Sequence, residues 1–297
     1  MLKNLFLSLS QNRRLRQWME HSETARPLSR RFIAGNTLDD GLAVVKDLAR
    51  RDVLSALDHL GENVNNETDA RTAARTAMDT LQAVAALGAD ATVSIKLTQF
   101  GLDLSETLTM ENVLPLVREA KRLNARIEVD MESSAYTQRT IDALERMSDE
   151  GPVRAVIQAY LYRTEKDIEN LNARKIPIRL CKGAYNEPEN VAFPRKADVD
   201  DNFKKMANRL LEHGTYPAFA THDAAMIDHV LSHKPAADQF EFQMLYGIRR
   251  DMQERVLAGG WRLRLYVPYG PAWYPYFMRR LAERPANVWF VAKSILS

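Results

Sequence analysis

Residues 266–285 read YVPYGPAWYPYFMRRLAERP and carry the chain's most suggestive chemistry. Two adjacent arginines, Arg279 and Arg280, stand among six aromatic side chains, directly after an apolar, strand-like run. A guanidinium is a rigid fork of donors that grips a carboxylate or phosphate at two points. Aromatic walls exclude water around such a fork and strengthen the attraction. The pattern therefore describes a holder for a small anion in a half-apolar pocket. Tyr276, Arg279, Arg280 and Glu283 are spaced to share one broad helical face. Pro285 limits that helix, and Pro271 or Pro275 suits its first turn. A surface Arg279–Glu283 ion pair is the plain alternative. Arginine ahead of glutamate is the weaker order, however, and a glutamate near a helix C-terminus opposes the dipole. Trp273, Tyr274, Tyr276 and Phe277 crowd several faces at once, which suits a helix lying over something.

The elements that must position this segment form a regular series. Short apolar runs occur at 53–60, 92–97, 127–131, 153–160, 176–181, 216–220, 239–244 and 263–267. Between and after them lie stretches of helical period at 67–87, 111–123, 135–148, 165–174, 199–212, 224–233, 248–258 and 275–284. Strands separated by helices pair in parallel through crossovers. Eight such units predict an α/β fold, a (β/α)8 TIM-type barrel. A doubly wound open sheet is the runner-up. Its first strand should enter a glycine-rich phosphate loop, and here it enters Leu60-Gly61-Glu62-Asn63. Residues 1–50 read as an N-terminal helical extension that includes a helix over 38–50, and 51–297 as the barrel catalytic domain.

A barrel of this kind does its chemistry at the C-terminal ends of its strands, so polar residues should gather there. Lys96 ends the second strand, and Glu128, Asp130 and Glu132 end the third. Gln158 and Tyr160 follow on the fourth, and Arg179, Lys182 and Tyr185 on the fifth. The sixth ends in Thr221-His222-Asp223, the seventh in Glu241-Phe-Gln243-Met-Leu245 and the eighth in Tyr266. Each has an ordinary explanation alone: a lysine reaching solvent, an Asp130 helix cap, a loop histidine. Their recurrence does not, because such groups are costly to bury unless paired.

Other chemistries find less support. The six histidines form no His-x-x-x-His pair with a helical carboxylate partner, and a lone cysteine supplies no zinc cluster, so no metal is expected. No G-x-S-x-G elbow occurs. A Schiff-base aldolase using Lys96 or Lys182 is the competing enzyme class. Its usual glycine-rich phosphate loop after the seventh or eighth strand is missing, since Gly259-Gly260 precedes the eighth. A net charge of +2 gives no argument for a nucleic-acid partner. Cys181 is the only cysteine, which excludes an intrachain disulfide and fits a reducing, cytoplasmic compartment. No apolar run reaches the ~20 residues of a membrane span. Residues 1–19 read as a basic amphipathic helix that could lie on an anionic membrane surface or pack on the main domain.

Taken in order, Ser94-Ile-Lys96-Leu, Asp130-Met-Glu132, Gln158-Ala-Tyr160, Arg179-Leu-Cys-Lys-Gly-Ala-Tyr185, Ala220-Thr-His222, Phe242-Gln-Met-Leu-Tyr-Gly247, Tyr266-Val-Pro-Tyr-Gly270 and Tyr276-x-x-Arg-Arg-x-x-Glu283 resemble the proline dehydrogenase family. The likeness runs from about Arg30 to the C-terminus. With no further domain following, it is nearest the short monofunctional bacterial forms. The resemblance implies a distorted (β/α)8 barrel with the final helix over the barrel mouth and FAD held non-covalently. It implies oxidation of L-proline to Δ1-pyrroline-5-carboxylate with hydride passing to flavin N5, and a membrane quinone as the final acceptor. It also implies a peripheral place on the inner face of the cytoplasmic membrane. By the same resemblance Arg279 and Arg280 clamp the substrate carboxylate, with Lys96 as a third cation. Leu245, Tyr266 and Tyr276 wall the ring, with Tyr185 close by. Asp130, Gln158, Arg179, Lys182, Gly183, Ala184, Thr221, His222 and Glu283 hold the flavin or its surroundings, and Glu62 pairs with Arg279 as a gate. Asp223 stands where the family more often has asparagine, and Cys181 where an aliphatic residue is usual. The residue chemistry agrees: proline is an apolar ring bearing a carboxylate, suited to tyrosine walls and an arginine clamp.

Overall fold

Eight parallel strands close on themselves in sequence order. The computed structural model describes Met19, residues 30–61 and residues 64–283, without the side chains of Arg279 and of 281–283. The strands are β1 (Leu54–His59), β2 (Ala91–Ile95), β3 (Ile127–Val129), β4 (Val153–Gln158), β5 (Ile178–Cys181), β6 (Ala218–Ala220), β7 (Glu241–Leu245) and β8 (Leu263–Tyr269). The ring is sealed by β1 against β8, in register from Leu54 opposite Arg264 to His59 opposite Tyr269. The (β/α)8 expectation is met.

The described helices are α1 (Leu38–Ala49), α2 (Glu67–Ala86), α3 (Glu106–Arg122), α4 (Thr137–Glu150), α5 (Thr164–Ala173), α6 (Lys196–His213), α7 (Ala224–Ser232), α8 (Arg250–Ala258) and α9 (Tyr274–Glu283). Local chemistry explains several starts. Thr37 and Asp40 form a reciprocal capping box at α1, and Asn66 caps α2 by accepting from the Asp69 amide. Helix α3 begins five residues before the expected 111, because Ser105 accepts from the Leu108 amide and opens the helix ahead of its apolar stripe.

Helices α2 to α8 each follow a strand, and their apolar faces join the outward faces of the strands in one large core. Helix α9 does otherwise. Its Tyr274, Tyr276, Phe277 and Met278, with Trp273 just before it, are buried with Phe32, Ile33, Leu60 and Ile248, and Leu245 packs alongside. Leu60, Leu245 and Ile248 lie at or just beyond the C-terminal ends of β1 and β7. The last helix therefore covers the barrel mouth. The outer surface it leaves is covered by α1, whose Val45 packs with Leu57, Val84, Ala91 and Tyr269.

The barrel interior is charged. Near its floor Glu128 meets Arg154 at 3.2 Å and Arg179 at 2.9 Å. Glu241 meets Arg154 at 2.5 Å and Arg264 at 2.8 Å. Gln243 donates to both acids, at 3.2 and 2.7 Å. Burial opposes charge on Glu128 and Glu241, yet the surrounding arginines hold both carboxyls below the usual carboxylate range. This corrects one expectation. Glu241 begins β7, about 13 Å below Leu245 by the rise of a strand, so it belongs to the floor and not to the functional face. Its type was informative, but the strand it belongs to starts later than the apolar run at 239 suggested. Replacing Glu241 by Ala deprives the buried Arg154 and Arg264 of their nearest carboxylate. The expected loss is about 3–5 kcal/mol of stability in urea unfolding, whereas removing the exposed Glu150 carboxylate beside Arg118 should leave the midpoint unchanged.

Candidate active site

At the opposite end of the barrel the strand ends meet in a second, smaller cage. Lys96, directly after β2, places its Nζ 2.9 Å from Asp58 of β1 and 3.1 Å from Asp130, just past β3. Its third contact is the Tyr266 hydroxyl of β8 at 3.2 Å, and that hydroxyl donates to Asp130 at 2.6 Å. An ammonium has three donors, and here all three are used. Asp130 also accepts from Ser94 at 3.1 Å and faces Arg179 at 3.1 Å. Arg179 stacks 5.6 Å from the centre of the Tyr266 ring.

The electrostatics follow from these contacts. Burial works against charge on Lys96, but Asp58 and Asp130 override it and hold the ammonium well above its ordinary pKa. Burial likewise opposes ionisation of Asp130, and Lys96 and Arg179 bring its carboxyl below the usual value. The Tyr266 phenol is pushed up by burial and by the nearby Asp130 and Asp58, so it stays a neutral donor. Glu132, accepting from the Thr98 hydroxyl at 2.7 Å and its amide at 3.2 Å, is raised by burial.

Beside this cage lie the other strand ends. Gln158 donates to the Glu132 carbonyl at 3.2 Å, and its side-chain oxygen is buried without a donor. The Arg179 Nε is likewise buried without an acceptor. Lys182 is held by Asp200 and, at 2.7 Å, by Asp223. Gly183 has φ +116°, and a Cβ there would lie 2.5 Å from the Tyr160 ring, so only glycine lets this turn rest on that ring. Ala184 and Tyr185 are exposed on the same turn. Thr221 is buried, its hydroxyl accepting from the Asp223 amide at 3.1 Å, and His222 Nε2 accepts from the Leu245 amide at 3.0 Å. From above, α9 brings Tyr276 and Arg280, both buried, with the guanidinium 4.9 Å from the ring centre.

Glu241 apart, the described expected residues thus gather on one face, from the ends of β2 to β8 and from α9. Glu62, the side chains of Arg279 and Glu283, and residues 1–18 lie outside the described residues. Three residues were not singled out from sequence: Asp58, Asp200 and Glu187. Asp58 had a signal, being a lone acid within the apolar run 53–60. Asp200 had none, since an acid on an exposed-looking helix face is commonplace. Cys181 is half-buried, and its thiol is pushed up to about 11 by loss of solvent around it. His229 and His233 stand one turn apart, but they bond Asn208 and the His229 carbonyl. Among the described residues no three metal-ligating side chains converge.

The family description "Proline dehydrogenase" matches residues 42–293. The chain belongs to the proline dehydrogenase family. It is 41% identical to proline dehydrogenase 1 of Bacillus subtilis over 301 residues, covering 100% of this chain and 99% of that protein. It is 38% identical to the proline dehydrogenase of Deinococcus radiodurans, covering 91% and 90%. Proline utilization A of Bdellovibrio bacteriovorus, solved after inactivation by N-propargylglycine, superposes with a TM-score of 0.80 at 25% identity. That match covers 87% of this chain and 33% of the longer protein. The proline dehydrogenase assignment makes the chain an oxidoreductase. The Schiff-base alternative finds no support, since a nucleophilic lysine must be neutral and Lys96 is held charged by two carboxylates.

The Asp130 shift has a consequence for acid stability. A carboxyl with a lowered folded-state pKa contributes stability above its unfolded value, and that contribution disappears as pH falls through the folded value. Asp130→Asn should therefore flatten the decline of stability below about pH 4. Urea midpoints measured from pH 3 to 6 check this, and an unaltered slope would contradict the cage.

Proposed function

We propose that this proline dehydrogenase oxidises L-proline to Δ1-pyrroline-5-carboxylate with non-covalently held FAD, and that a membrane quinone takes the electrons. The carrying observation is that α9 covers the strand-end face that bears the Tyr266–Asp130–Lys96 cage, and that its Tyr276 and Arg280 are buried. A cation and two phenol rings around one buried site suit an apolar ring bearing a carboxylate. The fit to a flavin rests on the orphaned buried atoms. Gln158 offers an acceptor and Arg179 a donor, which a planar ring system with both N–H and carbonyl groups can satisfy. Asp130, Gln158, Arg179, Lys182, Gly183, Ala184, Thr221, His222 and Glu283 would hold the cofactor. Bound FAD supplies the two-electron acceptor, taking hydride at its N5.

The chain's own contribution is binding, orientation and exclusion of water. Arg280, with Arg279 beside it, binds the substrate carboxylate. Tyr266, Tyr276 and Leu245 wall the ring, with Tyr185 near the rim. Lys96 acts chiefly by fixing Asp130 and Tyr266, because its donors are already engaged; contact with the substrate would require releasing one. The buried aromatic face of α9 keeps water out, and a fixed pose supplies much of the rate in a hydride transfer. Among the described residues no helix is long and apolar enough to cross a membrane. A membrane quinone as acceptor calls for a peripheral place on the inner face of the cytoplasmic membrane, and the basic residues 1–19 are the candidate contact.

The purified protein should be yellow, and L-proline added without oxygen should bleach it. A colourless protein that takes up no FAD would sink the reading. Arg280→Met should keep its flavin and bind proline more weakly by roughly 2–4 kcal/mol. Steady-state kinetics with an unchanged proline KM would refute the clamp.

A further inference from the structure

Between β5 and α6 the chain forms a strap across the end of β4. Its first residues rest on Tyr160, whose amide donates to the Lys182 carbonyl at 2.9 Å. Its last residues return beside the same point. The Phe193 amide donates to the Tyr160 carbonyl at 2.8 Å, the Tyr162 amide donates to the Val191 carbonyl at 3.1 Å, and Leu161 bridges Ala192. The Tyr162 and Phe193 rings meet edge to face at 4.7 Å. The turn between, which bears Ala184 and Tyr185, is exposed. Its position depends on its anchors at either end as well as on the Tyr160 ring beneath Gly183.

One anchor is a single side chain. Glu187 accepts from the Ser134 amide at 2.8 Å, from the Ser134 hydroxyl, and from the Tyr160 hydroxyl at 3.3 Å. Ser134 opens a short 3-10 turn (Ser134–Tyr136) that runs directly into α4. Neither Ser133 nor Tyr136 caps that helical run with its own side chain. Glu187, from another strand's loop, supplies the missing acceptor, and a carboxylate suits a helix N-terminus. One carboxylate therefore joins the loops that follow β3, β4 and β5. Its neighbours in sequence include Lys182 to Ala184, the strap residues assigned to the flavin, and Tyr185, assigned to the rim of the substrate site.

We propose that Glu187 is a positioning residue for the cofactor, latching the Gly183–Ala184–Tyr185 turn in place by capping the helical run at Ser134. This rests on the FAD reading above. The test is the FAD dissociation constant of each purified holoenzyme, measured by ultrafiltration at 25 °C, for wild type, Glu187→Ala, Glu187→Gln and Glu189→Ala. Glu187→Ala should bind FAD roughly fivefold more weakly, the ratio that corresponds to about 1 kcal/mol of lost capping. Glu187→Gln keeps an acceptor for the Ser134 amide and should recover most of that loss. Glu189→Ala removes a nearby exposed carboxylate that makes no latch contact and should bind as wild type does. A Glu187→Ala enzyme that melts earlier but holds FAD as tightly as wild type would overturn the latch. So would a Gln variant as impaired as Ala, or an equal loss in Glu189→Ala. A wild-type protein that takes up no FAD would instead remove the functional reading on which the latch rests.

Discussion

The structure depends on how Glu128 is shared. This carboxylate lies fully buried in the barrel and is approached by Arg154, Arg179 and Arg264, with Thr92 and Gln243 donating as well. Through Arg154 and Arg264 it is tied to Glu241 on the floor. Through Arg179 it is tied to Asp130, and so to Lys96, Asp58 and Tyr266 at the mouth. Buried ion pairs add little net stability compared with well-packed apolar residues, because desolvation offsets their attraction. Their effect here is geometric. Each partner has one place in which its charge is compensated, so the strand-end groups are held where an apolar interior would leave them free to rotate.

A second constraint concerns the two ends of the chain. A barrel whose last helix joined the outer ring would leave its mouth open. Here α9 turns over the mouth because its aromatic residues bury against Leu60, Ile248 and the 32–33 segment. The gap on the outside would expose Leu57 and Tyr269, and α1 fills it with Val45 and its own capping box. The helix before the first strand is thus the structural counterpart of the helix after the last. Without the first, the second could not leave the ring without exposing core.

Much of this was legible in sequence, for identifiable reasons. The eight strands were marked by apolar runs separated by turn chemistry, and parallel pairing follows from the helices between them. The strand-end residues Lys96, Asp130, Gln158, Arg179, Lys182 and Tyr266 stood out because polar groups interrupt those runs. Helix α9 was readable from the crowding of its aromatics. What could not be read was which polar group meets which. The depth of Glu241 depends on where β7 starts, and a shift of two residues along a strand moves a side chain by about 7 Å. The engagement of Lys96 by Asp58 depends on β1 and β2 being neighbours with Asp58 opposite Ser94, a fact of register. The Glu187 contact joins loops that no periodicity relates.

In the reading proposed above, the charge balance of the interior bears on where a clamp for the substrate carboxylate can come from. Asp58, Asp130, Glu128 and Glu241 face Lys96, Arg179, Arg154 and Arg264, four acids against four bases, each paired with the other kind. A substrate carboxylate entering this site meets no surplus positive charge from the strands. Taking a cation from the cage would leave Asp130 or Glu128 buried without its partner, a change that costs several kcal/mol. The additional positive charge therefore has to arrive on an element that is not part of the network. Helix α9, buried through its rings over the barrel mouth and bearing the buried Arg280, is the element proposed to provide it.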